Sequence, residues 1–224
     1  MRGNLTMRIG YMVDVQNDFM KTGGALYIED AEKLFENIQT LNKLFEEKDI
    51  PVWASADAHD PHSKELARNG GVWPDHCMKG AYGKELCEES GYIPQLTLSP
   101  LESDAGLHVS GYRAKAGFLH HNLLLEKDEN DIFSHAPYNY LFEALGLIPH
   151  PNEREPVQAI VYGVATDYCV KDAVLGMRKR GIEVLLVTDA IKEVTPETGK
   201  EALALMCKAG AREVTTNQLL DLLK

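Results

Sequence analysis

Apolar positions along the chain follow two alternating patterns: short continuous runs and longer segments with helical spacing. The runs are rich in β-branched residues and stop at Gly, Asp or polar clusters, which is typical of strands buried on both faces. They predict strands at 8–15, 50–56, 121–126, 157–163, 182–188 and 212–215. Helical spacing predicts helices over 34–45, 139–145, 170–177, 196–209 and 217–223, the first of them capped by Asp30. This alternation indicates an α/β fold with a mostly parallel sheet covered on both faces.

The composition excludes several classes of partner. At 224 residues the chain can bury a sizeable core, and its length fits one domain. The formal net charge of −11 argues against binding to nucleic acid or to an anionic membrane surface, because both require basic patches. No apolar run approaches the roughly twenty residues of a membrane span, and the first residues lack the apolar stretch of a signal peptide. The 4 cysteines show no CxxC spacing, so we expect reduced thiols in a cytoplasmic protein.

Reactive residues follow three of the predicted strands. Cys169 lies after the turn that ends the 157–163 strand, where the N-terminus of the next helix would stabilise a thiolate. Asp14 ends the first strand, and Lys127 follows the third. The carboxyl ends of parallel strands meet at one edge of an open sheet, which is where such sheets bind ligands. We predict a nucleophilic Cys169 with Asp14 as base and Lys127 as cation; the alternative is an ion pair beside a structural cysteine.

A second group of residues has the chemistry of a metal site. Asp57 and His59 come just past the end of the second strand, two residues apart, so both side chains can reach one ion. His76 lies further on, in an irregular stretch that is rich in Gly, Pro, His and charge. One carboxylate and two imidazoles suit Zn²⁺, Fe²⁺ or Mn²⁺ and leave coordination positions for water and substrate. The alternative is that these histidines, like most of the 8 in the chain, are surface residues.

Five motifs, in chain order, resemble those of the isochorismatase-like cysteine hydrolases, and within that family the nicotinamidase (pyrazinamidase) branch. They are Asp14-Val15-Gln16-Asn17-Asp18-Phe19, Asp57-Ala58-His59-Asp60, Trp73-Pro74-Asp75-His76-Cys77, Lys127, and Gly163-Val164-Ala165-Thr166-Asp167-Tyr168-Cys169-Val170. The resemblance implies a single hydrolase domain over 1–224, with a three-layer α/β/α fold and a six-stranded, mostly parallel sheet. It also implies an Asp–Lys–Cys triad that hydrolyses nicotinamide to nicotinate and ammonia through a thioester acyl-enzyme.

The same resemblance assigns further roles at the site. Asp57, His59 and His76 would bind a divalent metal ion that holds water and the ring nitrogen of the substrate. A cis peptide between Val164 and Ala165 would turn backbone N–H groups towards the oxyanion. Three aromatic residues would form the walls of a pocket for a flat ring: Phe19, Trp73 and Tyr168. The alternative is that these three side chains pack in the core.

Two departures from the resemblance leave the substrate open. The stretch between His76 and Lys127 is longer than in compact nicotinamidases, which predicts an insertion at about 83–118 that could form a lid, a subunit interface or a specificity wall. The run Ser134-His135-Ala136-Pro137-Tyr138 also departs from the family pattern, so Lys115 is a rival for the triad lysine. Alternatives to nicotinamide hydrolysis are hydrolysis of another small amide or ureide, an isochorismatase-type activity, and a non-catalytic binding module. We expect a small-molecule amide substrate and a homo-oligomer.

Overall fold

In the described part of the chain, a 7-stranded parallel sheet forms the centre of the protein. The structure is a computed structural model that describes residues 7–99, 120–149 and 157–224. The strands are β1 (Met7–Val13), β2 (Val52–Asp57), β3 (Leu96–Leu98), β4 (Leu123–Lys127), β5 (Val157–Val164), β6 (Glu183–Lys192) and β7 (Arg212–Val214). In space they follow the order β3-β4-β2-β1-β5-β6-β7, and each of these neighbouring pairs is parallel. The predicted fold class is confirmed.

The predicted count of six strands is wrong, because β3 adds a strand at the edge of the sheet. It is 3 residues long and pairs with β4. Two of its residues are exposed and the third is half-buried, so no pattern of buried positions distinguishes it from the irregular stretch around it. The strand lies inside the predicted insertion at about 83–118. Residues 100–118 of that segment lie outside the described part of the chain, and the insertion stays a prediction.

Helices cover both faces of the sheet. Among the described residues they are α1 (Asn17–Met20), α2 (Phe35–Glu47), α3 (Ala136–Ala144), α4 (Lys171–Lys179), α5 (Pro196–Lys208) and α6 (Thr216–Leu222). One core cluster joins the sheet to α3, α4 and α5, and a second joins the opposite face to α2 and α6. Alternate residues of β1 divide between them, with Tyr11 in the first cluster and Met12 in the second. None of the described helices has the length and apolarity needed to cross a bilayer.

The helix predicted at 34–45 begins differently from the expectation. Asp30 has left-handed backbone geometry, with a φ of 66°, and its side chain makes no capping hydrogen bond. A 3₁₀ turn at Ala31–Leu34 leads into α2 instead, and the Asp30 carboxylate pairs with Lys33 at 2.8 Å. The prediction of Asp30 as N-cap is therefore wrong, because a capping residue needs extended backbone geometry.

The strand order reverses between β1 and β5. From β1 the chain builds one side of the sheet through β2, β3 and β4, and from β5 it builds the other side through β6 and β7. A crevice at the carboxyl ends of the strands forms at such a switch point, and open α/β sheets bind ligands there. Asp14 follows β1, Asp57 and Lys127 are the last residues of β2 and β4, and the turn that contains Cys169 follows β5.

Candidate active site

Lys127 lies at the centre of a buried charged cluster at this edge of the sheet. Its ammonium lies 2.9 Å from Asp14 Oδ2, pairs with Asp57 Oδ1, and donates to Cys169 Sγ at 3.5 Å. The pairing with Asp57 follows from the sheet register, which places Asp57 and Lys127 side by side on β2 and β4. The structure therefore brings the three residues of the predicted triad together. Lys115, the rival lysine, lies outside the described residues.

The second strand fixes the position of Asp14. Its backbone has a φ of 47°, in the left-handed region that residues other than Gly seldom adopt, and this turns the chain at the end of β1. The Ser55 hydroxyl donates to Asp14 Oδ1 at 2.6 Å, and the Asp14 N–H donates to the Ser55 carbonyl at 3.1 Å. Both the backbone and the carboxylate of Asp14 are thus held by β2.

Burial and ion pairing shift the pKa values of this cluster in different directions. Burial raises the pKa of Asp14 and of the Cys169 thiol, although the Lys127 ammonium opposes both shifts. Burial also opposes ionisation of Asp57, but Lys127 and the neighbouring imidazoles outweigh it and hold the pKa of Asp57 well below its usual range. Burial disfavours the Lys127 ammonium, yet the two carboxylates outweigh this and raise the pKa of Lys127 well above its usual value. The cluster therefore combines a protonated thiol, a permanent cation and a carboxylate that can accept a proton.

The turn before Cys169 depends on close packing of β5 against β1. Gly163 has a φ of 116°, and a Cβ atom there would lie 2.1 Å from the carbonyl oxygen of Val13. Only glycine fits this approach. The Val164–Ala165 peptide is cis, and Thr166–Val170 then forms a tight turn that leads directly into α4.

Asp167 anchors this turn to the segment between β6 and α5. Its carboxylate accepts the Val194 N–H at 3.0 Å and also accepts the Thr198 hydroxyl. The Lys171 ammonium donates to the Asp167 carbonyl at 2.7 Å from the first turn of α4. Cys169 is thus presented on a turn that is tied down on both sides.

Asp57 also belongs to the predicted metal site. Its Oδ2 lies 3.8 Å from His59 Nε2 and 3.7 Å from His76 Nε2, and one ligand atom from each residue lies within 4.8 Å of the others. His76 Nδ1 lies 2.8 Å from the Pro74 carbonyl, which places the ring proton there and leaves Nε2 free to bind. His59 is fully buried, and neither of its ring nitrogens has a hydrogen-bond partner among the described residues.

This donor set fits a divalent metal ion. A buried imidazole nitrogen without a partner is costly, and a bound ion would satisfy one ring nitrogen of His59 and Nε2 of His76. Ligand atoms about 2.1 Å from a shared ion lie roughly 3.0–3.6 Å apart, so the distances of 3.8 and 3.7 Å from Asp57 Oδ2 to the two imidazoles exceed that range only slightly. Asp57 serves both groups, since one oxygen faces Lys127 and the other faces the imidazoles.

A cavity of about 130 Å³ opens beside Cys169. The three predicted aromatic residues line it, together with residues of both groups: Phe19, Trp73, Tyr168, Asp57, His76 and Cys169. The rings of Trp73 and Tyr168 meet edge to face at 5.2 Å, and the Phe19 ring lies 5.9 Å from the His76 ring. An engineered cavity of about 150 Å³ binds benzene, so this cavity has room for roughly one six-membered ring.

The sequence patterns do not single out several residues of the site. The cavity is also lined by Leu26, Tyr27, Ile28, Asn130 and Val194. Asn130 Oδ1 lies 3.6 Å from Cys169 Sγ. Burial, and then the charge of Asp57, raises the pKa of Glu65. All the unpredicted lining residues come from segments that follow a strand, and this position is the sequence signal that could have indicated them.

Comparisons with known proteins agree with this geometry. The Isochorismatase domain matches residues 11–93 and 126–218. The nicotinamidase of Escherichia coli (strain K12) is 29% identical over 220 residues, which cover 89% of this chain and 91% of that protein. The nicotinamidase/pyrazinamidase of Mycobacterium tuberculosis (strain H37Rv) is 27% identical over 217 residues, or 94% of this chain and all of that protein. Among solved structures, the pyrazinamidase of Pyrococcus horikoshii in complex with zinc superposes with a TM-score of 0.72 at 24% identity, over 93% of this chain and 99% of the other.

The two stretches matched by the domain family contain every predicted site residue, from Asp14 to Cys169. They leave out residues 94–125, which overlap the predicted insertion. Because the match spans far more than half of the chain, it establishes the family. The chain belongs to the isochorismatase family.

Proposed function

We propose that this protein is an amidohydrolase that converts nicotinamide to nicotinate and ammonia. The observation that carries the proposal is the Lys127 ammonium, held between the Asp14 carboxylate and the Cys169 thiol beside a small aromatic cavity. Two relatives that match over most of this chain are a nicotinamidase and a nicotinamidase/pyrazinamidase, which supports hydrolysis of a C–N amide bond on a nicotinamide-like ring.

The first half of the reaction forms a thioester. Cys169 Sγ attacks the carboxamide carbon while its proton passes to Asp14, whose raised pKa makes it a better base than an exposed aspartate. The C–N bond then breaks, and Asp14 returns the proton to the departing nitrogen, which leaves as ammonia. Lys127 stays charged and stabilises the thiolate as it forms. Backbone N–H groups of Ala165 and Cys169 would hold the oxyanion.

The second half of the reaction hydrolyses the thioester. Asp14, again unprotonated, accepts a proton from the attacking water. That proton goes to the Cys169 sulfur as the C–S bond breaks, and nicotinic acid leaves and loses its own proton to the solvent to give nicotinate. This restores the thiol and the carboxylate to their starting states, so the cycle balances with one water consumed for each ammonia released.

A divalent ion belongs at the second group of residues. Asp57, His59 and His76 would hold Zn²⁺, Fe²⁺ or Mn²⁺, and the ion would supply Lewis acidity towards a water molecule or a ring nitrogen. The buried, unpartnered nitrogens of His59 support this assignment. The zinc complex of the Pyrococcus horikoshii pyrazinamidase supports zinc as the first ion to test.

Another small amide or ureide is the second candidate substrate. Residues 94–125 fall between the two stretches that match the domain family, so a wall of the site could differ from that of nicotinamidases. The triad chemistry would be the same, because it acts on the C–N bond and not on the ring. A panel of amides therefore has to accompany nicotinamide in the test.

Ammonia release measured with glutamate dehydrogenase tests the proposal. Zinc-loaded protein is assayed with nicotinamide, pyrazinamide, and a panel of aliphatic amides and ureides. Cys169→Ala is compared with Cys207→Ser, which alters an exposed thiol on α5. We expect turnover of nicotinamide that is lost in the first variant and kept in the second. Ammonia released only from a different amide would replace nicotinamide as the proposed substrate. No ammonia from any amide would refute the proposed amidohydrolase activity.

A further inference from the structure

The side chain of Gln16 forms hydrogen bonds with the backbone of Asp57, one of the three proposed metal ligands. Its amide oxygen accepts the Asp57 N–H at 2.8 Å, and its amide nitrogen donates to the Asp57 carbonyl at 2.8 Å. The same nitrogen donates to the Lys84 carbonyl at 2.7 Å. Gln16 is fully buried, and these three bonds occupy both ends of the amide. The end of β2 is therefore clamped at Asp57, just where its carboxylate serves both Lys127 and the imidazoles.

Asp18 holds the backbone next to a second ligand in a similar way. Its Oδ2 accepts the Cys77 N–H at 2.7 Å, one residue after His76, and its Oδ1 accepts the Ala25 N–H at 3.0 Å. Gly83 packs directly against this carboxylate, since a Cβ atom there would lie 2.1 Å from Asp18 Oδ2. The chain leaves room for this contact only because residue 83 is a glycine.

Backbone hydrogen bonds connect the segment that Asp18 holds to His59, the third proposed metal ligand. The Cys77 carbonyl accepts the His59 N–H at 3.0 Å, and the Lys79 N–H donates to the His59 carbonyl at 2.9 Å. One segment thus fixes the backbone at His76 and at His59, and Asp18 fixes that segment. Gln16 and Asp18 lie on the same turn after β1, so a short stretch of chain positions all three ligands.

We propose that Gln16 and Asp18 are positioning residues for the metal site, acting through the backbone of Asp57 and of Cys77. The inference rests on the metal site proposed above. Residues that orient metal ligands without touching the ion typically change affinity by about 10- to 100-fold when they are altered. Here the effect follows from displacement of ligand backbones, because neither side chain contacts a ligand side chain among the described hydrogen bonds.

The test is the dissociation constant for zinc, measured by competition with a chelating dye on the full-length chain. Gln16→Met keeps the length of the side chain and removes the amide. Asp18→Ala removes the acceptors, whereas Asp18→Asn keeps an oxygen for the Cys77 N–H. Two controls alter bonds from a side chain to the backbone elsewhere. Gln39→Met removes an exposed amide that donates to the Glu89 carbonyl, and Asp189→Ala removes a carboxylate that accepts the Thr216 N–H.

We expect zinc to bind Gln16→Met and Asp18→Ala about 10- to 100-fold more weakly than it binds the wild type. Asp18→Asn should recover most of the loss, and both controls should bind like the wild type. General destabilisation is the competing explanation for weaker zinc binding, and the melting temperatures of the metal-free proteins test it. Asp189→Ala should lower the melting temperature as much as Asp18→Ala does, although it should not weaken zinc binding. If Gln16→Met does not fold, the Asp18 pair decides alone.

Two failures are distinguishable. A wild-type protein that binds no zinc would refute the metal site itself. Wild-type binding with an unchanged dissociation constant in Asp18→Ala, or an equal loss in Asp189→Ala, would refute only the positioning role.

Discussion

The two halves of the site differ in how far the protein satisfies its own polar groups. In the triad corner, formed by Asp14, Lys127 and Cys169, the ammonium pairs with carboxylates and reaches the thiol. In the metal corner, formed by His59 and His76, both ring nitrogens of His59 are buried, and neither has a hydrogen-bond partner in the part of the chain that the structure describes. Asp57 belongs to both corners.

This difference separates what the fold supplies from what it must acquire. The charged groups of the triad corner pair with one another, so its geometry is a property of the folded chain. The metal corner leaves buried nitrogens that an ion would satisfy, so its stability should depend on that ion. Disturbing one corner should therefore change folding itself, whereas disturbing the other should change the response to metal.

Removal of the central cation should have the largest effect. Lys127→Met leaves Asp14 and Asp57 as buried carboxylates without their ammonium, and breaking a buried pair in this way typically costs about 3–5 kcal/mol. We expect the free energy of unfolding in urea to fall by about that amount, together with loss of activity. Lys84→Met is the control, because its 2.6 Å pair with Glu126 is partly exposed; it should cost about 1 kcal/mol or less. Equal losses of unfolding free energy in Lys127→Met and Lys84→Met would show that the buried cluster contributes no more to stability than a partly exposed ion pair.

Metal should stabilise the folded protein through the metal corner. Zinc at a free concentration 100-fold above its dissociation constant should raise the free energy of unfolding by about 2.7 kcal/mol. His76→Ala should abolish this gain, whereas His120→Ala, at an exposed position just before β4, should keep it. Thermal unfolding with and without zinc measures both. Full stabilisation of His76→Ala by zinc would show that the ligands lie elsewhere.

In the enzyme without substrate, the Cys169 thiol should ionise at a higher pH than an ordinary cysteine does. Because burial raises the pKa of Cys169, its thiolate fraction at neutral pH is smaller than that of an ordinary cysteine, whose pKa is about 8.5. Alkylation of Cys169 by iodoacetamide should therefore rise about tenfold per pH unit up to at least pH 8.5. The rate is followed by peptide mass spectrometry in a Cys207→Ser background, which removes the exposed thiol. A plateau below pH 7 would mean that Lys127 outweighs burial.

The smallest effect should come from the aromatic wall. Trp73→Leu removes an aromatic wall of the cavity, and an aromatic pair between that wall and the substrate ring would contribute about 0.5–1.5 kcal/mol beyond area burial. We expect KM for nicotinamide to rise by roughly 2- to 12-fold while kcat stays within a factor of two, because the ring binds without taking part in bond breaking. Tyr140→Leu is the control, since Tyr140 is exposed on α3 and outside the cavity. A fall in kcat with unchanged KM would place Trp73 in the chemistry.

Much of this site could be predicted from sequence because the chemistry lies at the ends of buried strands. The runs before Asp14 and Cys169 are apolar and stop abruptly, so the polar residue after each stands out. The double role of Asp57 could not be predicted, because it depends on the register that pairs Asp57 with Lys127. The short strand β3 lacks a buried pattern. Val194 lines the cavity from the segment after β6, and that position indicates the correct edge of the sheet but not which of its residues reach the cavity.

The most direct test of the central claim is mass spectrometry of protein quenched in acid during turnover of nicotinamide. Cys169 is the proposed nucleophile, so the peptide that contains it should carry a nicotinoyl group that hydroxylamine removes. Cys169→Ala, quenched in the same way, should carry no such group and should release no ammonia. A nicotinoyl group on any other residue, or continued turnover by Cys169→Ala, would contradict a thioester at Cys169.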